Sequence, residues 1–247
     1  MTLLLGFEER IGCIVDNSAR LCQTASGALE LPVPTCPGWT VRQLTEHMAG
    51  VFTFFSHQLA VGDPRNRREP PAYDSQECAD PVEWLDAASE VLVESLKELG
   101  PDEPCWNWSG EDLDSGWVAR RMALEVALHR YDGELAVGDP RPVSAFLAVD
   151  GIDERLEVFL RSDIEQAPEA SLGGPLCLCC EDVAASWVIE AGGGRLKVRE
   201  GAGPAAAVLR ASASQLFLFS WNRVPPDCLQ LTGDPAVAAA WADLPCG

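Results

Sequence analysis

The segment MALEVALHRYD, residues 122–132, sets a carboxylate, Glu125, four residues before an imidazole, His129, inside an otherwise apolar run. Four residues make about one helical turn, so on a helix both side chains rise from a single face. Arg121 stands one turn earlier on the same stripe. A carboxylate among Met122, Ala123, Leu124, Val126, Ala127 and Leu128 is costly to bury as a free ion. It must be paired, protonated, solvated in a cleft or bound to a cation. Two arrangements meet that demand. One is an Arg121–Glu125–His129 polar ladder with no metal; the other is a metal site to which Glu125 and His129 contribute.

The chain has three histidines. His47, in LTEHMAG, has apolar Leu44 and Val51 one turn away on either side and faces inward if they do. Metal sites in helical bundles are built from inward side chains on facing helices. His47, Glu125 and His129 would together make a two-histidine, one-carboxylate set with an open position. Catalytic zinc uses such a set, as does iron(II) in oxygenases, and spacing alone does not choose between them. His57 lies ten residues past His47, about 80° round the helix, and reads as a rim histidine. Glu46 points away from His47 and reads as solvated.

These residues need helices to hold them, and the pattern supplies several. Apolar positions at helical spacing mark a first helix over 3–28. The connector LELPVPTCPGW is extended and punctuated by proline. A second helix runs from there to about 61, with Thr40 as its N-cap. The polar loop DPRNRREPPAYDSQECAD leads to an amphipathic third helix, PVEWLDAASEVLVESLKELG, with proline at its start and glycine at its end. A fourth helix spans about 117–137 and a fifth about 142–162. After residue 165 the texture changes to short runs, PLCLCC, SWVIEA and RLKVRE, separated by acidic or glycine-rich turns, which read as an antiparallel meander. A helix over 212–222, a short strand CLQLT and a last helix over 234–242 complete the chain. The expected architecture is mixed: an antiparallel four-helix bundle over 1–167 that carries the site, then a small α+β domain over 168–247.

Composition narrows the function. The 247 residues include 38 acidic against 18 basic side chains, a formal net charge of −20. Such a field repels phosphate backbones and anionic lipid, which argues against nucleic acid and membrane surfaces as partners. No run of about 18 apolar residues is present, and the N-terminus lacks the basic start and cleavage site of a secretory signal. A cytoplasmic location is expected, and with it reduced thiols for the ten cysteines. In CLCC, Cys177 and Cys179 share one face of a strand and Cys180 the other, so the cluster reads as strand core. Nothing in the sequence fixes the oligomeric state.

VPTCPGWTVRQLTEHMAG, then RRMALEVALHRYD, then VDGIDERLEVFL resemble in order and spacing the mycothiol-dependent maleylpyruvate isomerase family, part of the DinB-like superfamily of helical-bundle metalloproteins. The tail, GPAAAVLRASASQLFLFSWNR with LQLTGDPAVAAAW, looks like that family's small C-terminal domain. The resemblance implies that His47, Glu125 and His129 bind zinc or another divalent metal. It further implies a low-molecular-weight thiol, mycothiol or a similar one, as cosubstrate. The thiolate would add to an electrophilic small molecule, for isomerisation or for S-transfer. Arg121 then becomes a candidate catalytic residue, holding a substrate carboxylate or orienting Glu125. HRYD departs from the family, which often has an acidic or small residue and then tryptophan after the histidine. Two alternatives remain on the same fold: a metal-dependent hydrolase using metal-bound water, and a non-catalytic binding module.

Overall fold

The computed structural model describes residues 5–69, 80–110 and 112–245. It divides into two compact units, 5–141 and a second beginning at Pro142.

The first unit is a bundle of four helices: α1 (Phe7–Ala25), α2 (Val41–Val61), α3 (Pro81–Leu99) and α4 (Ser115–Ala136). Their ends are written in the sequence. Thr40 accepts from the backbone N–H of Gln43 while the Gln43 side chain returns to the Thr40 backbone, a reciprocal cap at the start of α2. Asp80 and Asp114 cap α3 and α4 through their carboxylates. Pro81 opens α3 and Gly100 closes it. The first helix starts at Phe7; the residues before 5 in its expected range lie outside those described.

α1 packs on α4 and α3, and α2 packs on α3 and α4, so α1 and α2 lie across the diagonal from each other. Of these adjacent pairs, α2 with α4 is the loosest. α4 is the most enclosed of these four helices, with buried residues on every side, including Val118, Met122, Leu124, Val126 and Leu128. Gly133 lets α4 close on its neighbours. A Cβ there would meet Leu21 Cδ1 of α1 at 3.0 Å and Leu44 Cδ2 of α2 at 3.5 Å.

The second unit opens with α5 (Ala145–Glu154), continues without a break through a π-helical turn over Arg155–Leu160, and ends the rod with α6 (Arg161–Gln166). The sequence pattern put this rod with the bundle and drew the join at 167. By contacts it belongs with the C-terminal sheet and helices, because α5 packs on α7 (Ala213–Ser220). Buried Arg155 ties the unit together. Its guanidinium donates to Asp163 Oδ2 at 3.0 Å and to the Pro245 carbonyl at 2.8 Å, and lies 4.9 Å from the Trp221 ring.

Five strands form one sheet in the order β3-β2-β1-β4-β5: β1 (Leu176–Cys180), β2 (Ser186–Gly192), β3 (Arg195–Glu200), β4 (Ala207–Ala211) and β5 (Gln230–Gly233). β1 to β3 are the antiparallel meander the sequence suggested. β4 is an addition. AVLRA pairs parallel to β1, with Leu178 opposite Leu209, which makes the sheet mixed. Leu176, Leu178, Trp187, Ile189, Ala207 and Leu209 form a buried apolar face. The Trp187 indole on it donates to Asp153 of α5 at 2.6 Å. α8 (Pro235–Ala239) and a 3-10 turn over Ala240–Asp243 finish the unit. No helix among the described residues is long and apolar enough to cross a membrane.

Candidate metal centre

The site lies in the seam between α2 and α4. Glu125 and His129 rise from one face of α4, as their four-residue spacing requires, and His47 comes across from α2. Glu125 Oε1 is 3.2 Å from His47 Nε2 and 3.5 Å from His129 Nε2. The two imidazoles stand nearly perpendicular, centroids 5.1 Å apart. One ligand atom from each residue falls within 4.8 Å of the other two, close enough to share one cation. Arg121, the fourth residue singled out in the sequence, contacts the other carboxylate oxygen, Oε2.

Glu125 therefore divides its labour. One oxygen faces a buried guanidinium and the other faces two imidazoles. The contacts of the ladder and the clustering that a metal site needs coexist in this geometry, since the guanidinium and the imidazoles meet different oxygens. Access is uneven: the His47 side chain is 33% exposed, against 14% for Glu125 and 10% for His129. Solvent reaches the group from the His47 side.

Electrostatics favour neutral imidazole at His47. Burial first, then the positive charge available to His129 and that of Arg121, push its pKa down to about 4. A neutral ring offers a lone pair, which is the form that binds metal. Two imidazoles and one carboxylate match the donor set of catalytic zinc sites.

A second layer was not foreseen. Asp132, one turn past His129, is fully buried, and its Oδ2 lies 3.0 Å from His129 Nδ1. The connector before α2 reaches the same carboxylate: the Thr35 hydroxyl donates to Oδ1 at 2.6 Å and the Cys36 thiol lies 3.5 Å from Oδ2. Trp39, from that connector, packs against both rings, 5.1 Å from His47 and 6.5 Å from His129. The signal for Asp132 was present as H-x-x-D on a helix. The connector's part was not, since it depends on where a loop folds back.

The other candidates fall outside this group. His57 is half-buried and joins no cluster of ligating residues among those described. Cys177 and Cys179 sit on one face of β1, Sγ atoms 3.5 Å apart, packed against Val188, Ala205 and Val208. Burial raises the Cys179 thiol to about 11 and that of Cys180 to about 12, so these are protonated core residues. No disulfide forms among the described cysteines. Cys78 and Cys246 lie outside the described residues.

Comparison with known proteins agrees with the resemblance in the sequence. Residues 11–133 match the family profile of the mycothiol maleylpyruvate isomerase N-terminal domain. A crystal structure of the mycothiol-dependent maleylpyruvate isomerase shares the fold, with a TM-score of 0.63 at 15% identity over 92% of this chain and 93% of that one. A histidine-to-alanine mutant of that isomerase gives the same TM-score and coverage at 14% identity. No curated protein matches the chain.

Proposed function

The chain belongs, through its N-terminal half, to the mycothiol maleylpyruvate isomerase family, and on that premise we propose that it is a thiol-dependent isomerase whose bundle holds a divalent cation on His47, Glu125 and His129. The observation that carries the reading is the convergence of two imidazole nitrogens and one carboxylate oxygen from two helices. When bound there, a zinc-type cation supplies the means to hold a low-molecular-weight thiol such as mycothiol as thiolate at neutral pH.

The chain's own residues supply the rest. Arg121 fixes the Glu125 carboxylate through Oε2 and keeps Oε1 turned to the imidazoles. It acts here as a positioning residue. The opening beside His47 admits the thiol and an electrophile, and Trp39 walls the group on the connector side. The substrate class is a small molecule with a cis double bond conjugated to a carbonyl, of which maleylpyruvate is the first to test. The thiolate forms a carbon–sulfur bond at one end of the double bond and the π electrons move onto the carbonyl. The former double bond, now single, rotates. Reversal expels the thiolate and restores the double bond in the trans geometry, with no net change in atoms. The reduced cytoplasm is the compartment in which such a thiol persists.

Turnover of maleylpyruvate with and without mycothiol tests the proposal. Isomerisation that requires the thiol and returns it unchanged is the expected result. Retention of sulfur in the product would mark an S-transferase, and turnover independent of thiol would mark a hydrolytic site that activates water.

A further inference from the structure

We propose that Asp132 is a positioning residue for the site: it fixes His129 in the tautomer and orientation that turn the Nε2 lone pair toward Glu125 and His47, and the connector before α2 holds Asp132 in place. The proposal rests on the reading of His47, Glu125 and His129 as metal ligands.

The geometry divides the His129 ring between two carboxylates. Nε2 faces Glu125 at 3.5 Å and Nδ1 faces Asp132 at 3.0 Å. Both partners are carboxylates, so distance decides. Nδ1 stands within hydrogen-bond reach of Asp132 and donates to it, whereas Nε2 is 3.5 Å from Glu125. A neutral ring with its proton on Nδ1 keeps the Nε2 lone pair. Histidines that bind metal commonly donate their second ring nitrogen to a carboxylate in this way, which fixes both tautomer and ring plane. Asp132 is itself oriented. Oδ1 accepts from the Thr35 hydroxyl at 2.6 Å, and the Cys36 thiol lies at 3.5 Å from Oδ2.

The connector that brings these two residues is a closed turn. Val33 N donates to the Trp39 carbonyl at 2.9 Å, Cys36 N to Val33 at 3.2 Å and Trp39 N to Cys36 at 3.0 Å. Pro32 and Thr40 pair as an isolated bridge at its neck. The turn delivers Thr35 and Cys36 to Asp132, and Trp39 to both imidazoles. The proline-punctuated segment noted in the sequence therefore forms one wall of the site.

Cys36, His129 and Asp132 are also near enough to share a cation of their own. The two assignments differ in stoichiometry: an orienting Asp132 leaves one ion per chain, whereas a second centre makes two.

The test uses the full chain with Asp132→Ala, Asp132→Asn and Thr35→Val. Nitrogen chemical shifts of the His129 ring are read in the metal-free protein, and zinc affinity is read by chelator competition. Wild type should show the Nδ1–H form and one zinc per chain. Asp132→Ala should shift the ring toward the Nε2–H form and weaken zinc by roughly 10–100-fold. Asp132→Asn, whose amide oxygen still accepts, should fall between, and it carries the test if the alanine variant does not fold. Thr35→Val should have the smallest effect on affinity. Unchanged tautomer and affinity in both Asp132 variants would overturn the proposal, as would two zinc ions per chain with one lost in Cys36→Ser. A wild type that binds no zinc would count against the metal reading instead, and the tautomer shift would still decide the role of Asp132.

Discussion

α4 carries the same pair of residue types twice, an arginine followed four residues later by a glutamate: Arg121 with Glu125, and Arg130 with Glu134. Both pairs are largely buried, yet they are finished differently. Glu134 is saturated: Oε1 accepts from Arg20 Nε at 3.1 Å and Nη2 at 2.5 Å, and Oε2 accepts from Arg130 Nη1 at 2.5 Å and the Arg141 backbone at 2.8 Å. Arg130 also donates to the Asn17 side chain at 3.0 Å and the Arg141 carbonyl at 2.7 Å. That pair fastens α1, α4 and the chain leaving α4. Glu125 spends one oxygen on Arg121 and offers the other to two imidazoles. Spacing identifies an ion pair; the surroundings of the second oxygen distinguish a fastener from a site.

The widest separation between the pairs lies in activity. His47→Ala or Glu125→Gln should lower thiol-dependent turnover by more than the roughly 10–100-fold lost when only a residue supporting a ligand is changed. Glu134→Gln should leave turnover of the folded protein near wild type. Steady-state assays on all three check this. Equal losses would erase the distinction.

Stability should show the reverse ranking. Glu134→Ala removes the partner of Arg130, whose side chain is only 3% exposed. Stripping one member from such a buried pair costs about 3–5 kcal/mol. Denaturant unfolding measures it, and a cost below about 1 kcal/mol would place Arg130–Glu134 with ordinary surface pairs.

Acid provides a smaller, graded version of the same experiment. Burial opposes ionisation of Glu134, but hydrogen bonds from Arg20 and the Arg141 backbone, with the charge of Arg130, outweigh it and hold its pKa below the usual 4.5. A carboxylate with a depressed folded-state pKa stabilises fully above its unfolded value, and loses that contribution as pH falls through the folded one. The stability gap between wild type and Glu134→Gln should be constant at neutral pH and narrow below about pH 4.5. A gap that widens in acid would contradict the assignment.

The smallest expected effect concerns the connector. Gly38 has φ +85°, and a Cβ there would meet nothing within 4 Å. Gly38→Ala should therefore cost only left-handed backbone strain, about 1 kcal/mol, seen as a modest fall in Tm with zinc affinity nearly intact. A large loss of zinc affinity would mean that the wall formed by Trp39 tolerates no adjustment.

Most of the candidate site was legible in the sequence because it is written in helical periodicity. Arg121, Glu125 and His129 share a stripe by spacing alone, and His47 was found through the apolar residues beside it. Asp132 obeys the same periodicity, but spacing alone does not separate an aspartate that orients a ring from one that is solvated. Thr35 and Cys36 could not be found that way, since no period links a loop to a helix about a hundred residues away. In the second unit, AAAVLRA reads poorly as a strand because alanine favours helix. Its pairing with β1 overrides that preference, as tertiary context does for strands generally. The π turn over Arg155–Leu160 is equally hidden, because six residues do not separate its period from that of an α-helix.

The central claim is that His47, Glu125 and His129 hold one divalent cation while the neighbouring pair on α4 does not. Elemental analysis of purified wild type, His129→Ala and Glu134→Gln tests it most directly. About one metal ion per chain in wild type and Glu134→Gln, with almost none in His129→Ala, is the predicted result. Equal, near-zero metal in all three, or equal metal in wild type and His129→Ala, would contradict it.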